Sequence, residues 1–262
     1  MNINYKETLI EAAHAGGEIL KKYFGQTLNL IEKSTASDFK TEADIGSESA
    51  ILTILRNKFP KYNIHSEEEG KFDNGSEYTI IVDPLDGTNN FVLGIPNFSV
   101  SIAVVNNKET IAGVIYQPIL NQTYFAEKNN GAELNGKKIN VSNIIDPNNM
   151  TISYNCGYKT DRNRVAFAIN NLIISKHKRI VFNWSPSYDY CLLASGKIEA
   201  IVTDPGTEVY DYTAGKLIAL EAGAKIVYLN KEKSGDNFIL SNSDETNKYI
   251  LGILKNTLKN RQ

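Results

Sequence analysis

Thr79-Ile80-Ile81-Val82-Asp83-Pro84-Leu85-Asp86-Gly87-Thr88 passes from a β-branched apolar run straight into a turn carrying two aspartates. The first four residues read as a short buried strand. Proline offers no N–H to a sheet ladder, so the strand is expected to stop at Asp83. The turn then aims both carboxylates and the Leu85 carbonyl into one small volume. Carboxylates held that close repel unless they are protonated or bound to a cation. An all-oxygen donor set suits Mg²⁺ better than zinc, which prefers nitrogen and sulfur. Gly87-Thr88-Asn89-Asn90 can start a helical turn whose N–H groups face the same volume, an arrangement that binds anions. Metals beside an anion site describe a phosphate cradle, where activated water displaces an alcohol in line at phosphorus.

Asp, Pro and Gly are also ordinary turn residues, so the hexamer alone is equally a polar surface turn. Two distant acids weigh against that. Glu67 lies in His65-Ser66-Glu67-Glu68-Glu69-Gly70, and Asp211 opens an apolar helix. Taken singly, the first is a solvated acidic loop and the second a first-turn charge. Competing motifs fail. A calcium hand starting at Asp83 needs a glutamate where Gly94 stands, and no phosphate-loop, zinc-protease or serine-hydrolase signature is present. His14, His65 and His177 are scattered, and His65, although near Glu67, reads as structural.

Around this centre, apolar spacing predicts helices over Tyr5 to Phe24, stopped by Gly25, and over Thr41 to Phe59, ended by Pro60. Lys33 to Asp38 between them reads as a polar, mobile loop. Strands are expected over Ser99 to Val105, Thr110 to Tyr116, Gln122 to Ala126, Met150 to Tyr154 and Ile198 to Val202, with strand and turn material over Gly131 to Val141. Further helices are expected over Arg164 to Ser175, Tyr188 to Ser195 and Asp211 to Ala222. These blocks indicate a layered α+β sandwich. No linker or repeat separates domains, so residues 1–262 read as one catalytic unit with packed halves of about 1–145 and 146–262.

The chain has 28 basic and 30 acidic residues, a formal charge of -2, and offers no electrostatic case for nucleic acid or membrane surfaces. No apolar run approaches the ~20 residues that cross a bilayer, and the first residues lack a secretory pattern. The two cysteines, Cys156 and Cys191, fit no disulfide framework and read as reduced, buried thiols of a cytoplasmic protein.

With these residues in view, the chain resembles the inositol monophosphatase family over nearly its whole length. Ile81 to Phe91 matches the family's central motif, Ser66-Glu67-Glu68 looks like its Gly-Glu-Glu, and Tyr210-Asp211-Tyr212-Thr213-Ala214-Gly215 looks like its Trp-Asp-x-x-Ala-Gly. The resemblance implies an α-β-α-β-α sandwich of the sugar phosphatase type, a homodimer, lithium sensitivity, and two or three Mg²⁺ per site. Glu67, Asp83 and the Leu85 carbonyl would hold one ion, and Asp83, Asp86 and Asp211 a second. A weaker third would sit near Glu67 through water.

By the same carry-over, Asp44 and Thr88 would orient the attacking water, while the Gly87 and Thr88 amides would grip phosphate. Asp44 also reads as a helix-start acid, and Lys33 as either a lysine approaching the site or a solvated loop charge. Ser185 and Asp204 would touch substrate. Two departures fall in that pocket: Asn183-Trp184-Ser185-Pro186-Ser187 replaces a Gly-Ser/Thr-Ala-Ala run, and Asp204 replaces a glutamate. The implied activity is hydrolysis of inositol monophosphate or a related sugar phosphate. The alternatives are fructose 1,6-bisphosphatase, adenosine 3′,5′-bisphosphate 3′-phosphatase, and a catalytically silent metal-binding regulatory module.

Overall fold

The computed structural model describes residues 4–35, 38–230 and 235–255. Helix α1 (Tyr5–Tyr23) and helix α2 (Glu42–Lys58) flank a small hairpin of β1 (Ile31–Thr35) and β2 (Asp38–Lys40). The expected loop over 33–38 is therefore largely an antiparallel hairpin, with Ile31 opposite Lys40. Ala36 and Ser37 lie outside the described residues.

Strands β3 (Asn63–Ser66), β4 (Gly70–Phe72), β5 (Tyr78–Asp86), β6 (Ser99–Asn106), β7 (Glu109–Gln117), β8 (Gln122–Glu127), β9 (Ala132–Leu134) and β10 (Lys137–Ile139) form an eight-stranded sheet. Its order is β10-β9-β8-β7-β6-β5-β3-β4. The five-residue helix α3 (Thr88–Val92) follows β5. A second, five-stranded sheet has the order β12-β11-β13-β15-β14. It is built from β11 (Thr151–Asn155), β12 (Arg179–Val181), β13 (Ala200–Thr203), β14 (Lys225–Tyr228) and β15 (Phe238–Ser241). Helices α4 (Arg162–Ile174), α5 (Pro186–Ala194), α6 (Val209–Glu221) and α7 (Asp244–Lys255) complete the described chain.

The layers run α-β-α-β-α. Leu9, Leu20, Ile51 and Leu55 of α1 and α2 pack on Val100, Ile102 and Val114 of the large sheet. On its other face, Ile115 and Tyr124 meet Tyr190, Leu193 and Ile218 of α5 and α6, which also cover Ile201 and Leu240 of the second sheet. Leu172 of α4 and Ile250 of α7 close the far side against Ile152 and Ile239. Close approach depends on glycine: a Cβ at Gly17 would lie 2.4 Å from the Tyr116 ring. No helix among the described residues is long and apolar enough to cross a membrane.

One expectation fails instructively. Strand β5 does not stop at Asp83 but continues to Asp86. Asp83 faces Ser101 and Asp86 faces Ser99, so one extra residue is accommodated between them. This is a β-bulge, the place in a sheet where proline's missing N–H is tolerated. The bulge, rather than a strand end, turns the two aspartates toward one another. The Ser47 hydroxyl fixes it by donating to the Pro84 carbonyl at 2.8 Å.

Candidate active site

The pocket opens between the two sheets. Strands β11, β12 and β13 are parallel, and the loops leaving their carboxyl ends carry Cys156 to Lys159, Trp184 and Glu208. Those loops face Asp83 to Asn89 and Lys33 across a cavity of about 590 Å³. Open α/β sheets place ligands at the carboxyl ends of their strands for this topological reason.

At its floor, carboxylate oxygens of Asp83, Asp86 and Asp211 lie within 4.8 Å of one another. Asp83 and Asp86 come from the bulge. Asp211 comes from the first turn of α6, where its carboxylate also accepts from the Glu208 N–H at 2.8 Å. Glu67 shares a hydrogen bond with Asp83, and the Glu67 N–H donates to the Val82 carbonyl at 3.1 Å. Asp86 accepts from Ser99 Oγ at 3.3 Å, from Ser185 Oγ, and from the Ser187 backbone.

Burial and mutual repulsion raise the pKa values of this cluster. Asp83 is pushed well above the carboxylate range by burial and by Glu67, Asp86 and Asp211. Asp211 is raised by burial, Asp86 and Glu67. Asp86 rises to about 7, burial leading and Asp189 adding, against hydrogen bonds that pull it down. Glu67 is raised by burial despite Lys33. Such crowding of anionic oxygens fits a hard divalent cation, whose charge replaces the protons.

Thr88 Oγ lies 3.2 Å from Asp44 Oδ1 and 3.1 Å from the Leu85 carbonyl. The second Asp44 oxygen accepts from Thr41 N–H at 2.8 Å and Thr41 Oγ at 2.7 Å. Asp44 is therefore both a capping-box acid and a partner of Thr88. Burial raises its pKa to about 7, against the pull of Thr41. Gly87 caps α3 at φ 90°, and a Cβ there would meet the Asn97 carbonyl at 3.0 Å. Glycine is the residue that both the backbone and the neighbours allow.

Two proposed substrate contacts are placed elsewhere. Asp204 is buried, accepting from Tyr154 and from Arg164 Nε and Nη2 at 2.8 and 2.7 Å, and it does not line the pocket. Arg164 on Oδ1 and the Tyr154 hydroxyl on Oδ2 occupy the oxygens a substrate hydroxyl would need. Ser185 is also buried and lies beneath the pocket, orienting Asp86. The expectation of two buried thiols is corrected as well, since Cys156 is exposed and only Cys191 is buried.

Lys33 does approach, with its Nζ 2.8 Å from Glu67 Oε1 and a second contact to Glu68. Burial lowers its pKa, but the two glutamates outweigh that and raise it overall. His65 stands edge-on to Tyr210 at 6.2 Å between ring centroids, a packing role.

Other residues escaped sequence reasoning. Glu48 is buried and accepts from Ser66 Oγ and from the Glu68 and Glu69 N–H groups, each at 3.1 Å, so it fixes the turn that presents Glu67. The signal was available: Asp44, Ser47, Glu48 and Ile51 share one buried stripe of α2. Polar groups on a core-facing helix stripe need partners.

The profile of the inositol monophosphatase family matches residues 3–257. The chain belongs to the inositol monophosphatase family. Among curated relatives, the fructose-1,6-bisphosphatase/inositol-1-monophosphatase of Aquifex aeolicus is 31% identical over 96% of this chain and 95% of its own length. The Nus factor SuhB of Pasteurella multocida is 33% identical over 84% of each chain. Among solved structures, the Thermotoga maritima IMPase superposes with a TM-score of 0.85 at 30% identity, covering 96% of both chains. Membership accounts for the sandwich and for the acidic floor beneath its pocket.

Proposed function

We propose that the chain is a Mg²⁺-dependent phosphomonoesterase that hydrolyses inositol monophosphate or a related sugar phosphate. The observation carrying this reading is the acidic floor: three aspartates from β5 and α6 with oxygens within 4.8 Å, and Thr88 bonded to Asp44 beside them. Asp83, Asp86 and Asp211 would hold one ion, and Glu67, Asp83 and the Leu85 carbonyl another. A third would sit near Glu67. When bound, Mg²⁺ supplies Lewis-acid charge to phosphate oxygens and makes water a stronger acid at neutral pH.

The chain's own groups do the orienting. Thr88 has one hydroxyl proton, and Asp44 and the Leu85 carbonyl compete for it. Donation to Asp44 leaves the Leu85 carbonyl free as a ligand and turns a Thr88 lone pair toward the pocket. That lone pair accepts a hydrogen from the attacking water and fixes its line of approach. The Gly87 and Thr88 amides receive the phosphate.

Under this reading the catalytic unit spans the whole chain, acts on small phosphorylated metabolites and resides in the cytoplasm as a homodimer. A second reading, fructose 1,6-bisphosphatase activity alone or alongside the first, is favoured by Lys159 on a pocket of about 590 Å³, which offers a cation to a second phosphate. Phosphate release from inositol 1-phosphate and from fructose 1,6-bisphosphate, with Mg²⁺ present and withheld, tests both. Metal-independent release, or none from either, would reject the assignment.

A further inference from the structure

Five non-glycine residues among those described adopt positive φ, and four of them are asparagines: Asn107, Asn121, Asn129 and Asn135. The fifth is Trp184, at φ 53°. Asparagine visits the left-handed region readily, whereas a bulky L-residue does so at a cost in free energy. A strained residue persists where its surroundings over-determine it.

Here they do. On one side, Asn183 Nδ2 donates 2.5 Å to buried Asp189. The Asn183 carbonyl accepts from Asn90 Nδ2 at 2.6 Å and Asn97 Nδ2 at 2.9 Å. On the other side, Ser185 Oγ is bonded to Asp86, and Pro186 begins α5. The Trp184 carbonyl itself sits 3.2 Å from where a Gly87 Cβ would be. Trp184 is thus clamped directly behind the phosphate-binding turn, yet the residue is 62% exposed and lines the pocket. A core role does not explain an exposed indole, and glycine would take this backbone without strain.

The rest of the rim has matching chemistry. Tyr158, also largely exposed, lines the same cavity with its hydroxyl held by Asn89 Nδ2 at 2.8 Å, and Lys159 stands next to it. The cavity of about 590 Å³ leaves room beyond the phosphate for a ring. An indole and a phenol offer flat apolar area with little rotamer entropy to lose.

We propose that Trp184 is the specificity-determining residue of this pocket, its indole stacking on the ring of the alcohol that leaves when phosphate is cleaved. The proposal rests on the phosphomonoesterase reading, and the substrate class it names is a phosphomonoester of a ring-bearing alcohol. The shared chemistry is a ring with an apolar face, whether a cyclitol, a sugar or a nucleoside.

Trp184 is the sole tryptophan of the chain, so its emission reports on this site alone. In stopped flow, the Mg²⁺-loaded wild-type protein is mixed with inositol 1-phosphate, adenosine 3′-monophosphate or glycerol 2-phosphate. Emission should change with at least one ring ester before phosphate is released, and which ring ester does so identifies the source. Glycerol 2-phosphate should produce no comparable change. Equal changes for all three esters, or none for any, would overturn the proposal. Should no ester release phosphate, the catalytic reading falls while the emission still decides on Trp184.

Steady-state kinetics give the second arm. In Trp184→Gly, which removes the ring and relaxes the backbone, the ratio of kcat/KM for the favoured ring ester over glycerol 2-phosphate should fall about tenfold, mostly through KM. Trp184→Phe should recover most of that ratio. A purely structural role would lower all three esters alike, and that result would refute the assignment.

Discussion

Thr88 Oγ and Asp44 Oδ1, separated by 44 residues in sequence, lie 3.2 Å apart, and the far oxygen of Asp44 is tied twice to Thr41. The cap of α2 and the start of α3 are thereby locked into one unit that aims a hydroxyl at the pocket. If that hydroxyl orients water, Thr88→Val should lower kcat by roughly 10²-fold while KM and Mg²⁺ affinity stay within about threefold. Valine keeps the shape and removes the lone pair. A variant with kcat within a few-fold of wild type would remove Thr88 from the mechanism.

The charge of Asp83 is resisted by its burial and by Glu67, Asp86 and Asp211 together. Asp83→Asn should abolish measurable Mg²⁺ heat in titration calorimetry and nearly all turnover. In metal-free buffer at pH 8 the same variant should melt several degrees above wild type, because the crowded cluster loses one of its mutually repelling acids. A variant that binds Mg²⁺ normally would show that the cluster is not the metal centre.

The raised acids also fix how stability responds to pH. Asp86 at about 7 and Asp189 at about 6 both lie above their unfolded value near 3.8, so the folded chain binds more protons in that window. Their contribution to the stability of the metal-free protein therefore falls as pH rises from about 4 to 7. For Asp189 alone the loss is on the order of 3 kcal/mol. Saturating Mg²⁺ should remove the part due to Asp86 and leave those due to Asp44, which burial raises to about 7, and to Asp189, which accepts from Ser153 and Asn183 away from the acidic floor. Asp189→Asn should lower the remaining slope by its own share in urea melts at pH 4.5 and 7.5.

What could be read in advance follows the range of the interactions involved. Asp83, Asp86, Gly87 and Thr88 fall within one six-residue stretch, so their turn chemistry is written locally, and helix α1 carries clear apolar periodicity. The bulge that carries β5 past Pro84 was illegible because it depends on register with Ser99 and Ser101 of another strand. Asp204 looked available for substrate until its partner Arg164, 40 residues away, was placed beside it. Short strands such as Arg179–Val181 leave too few residues for alternation to show. The strain at Trp184 is a backbone angle, and no residue pattern reports it.

Glu48 supplies the remaining test, because it acts on the site without entering it. Its carboxylate gathers Ser66 Oγ and two N–H groups of the 66–69 turn, and Glu67 sits within that turn between the hairpin lysine and Asp83. Truncation in Glu48→Ala takes the acceptor from all three donors, the Ser66 hydroxyl among them buried, which costs about 1–3 kcal/mol in stability. The turn would then hold Glu67 less firmly, and outer partners of this kind are worth about 10- to 100-fold in metal affinity. Mg²⁺ titration should show that loss, with kcat largely recovered at saturating Mg²⁺. Glu48→Gln keeps one acceptor and should lie between wild type and alanine in both measurements. A loss of stability with unchanged Mg²⁺ affinity would confine Glu48 to the core and break its link to Glu67.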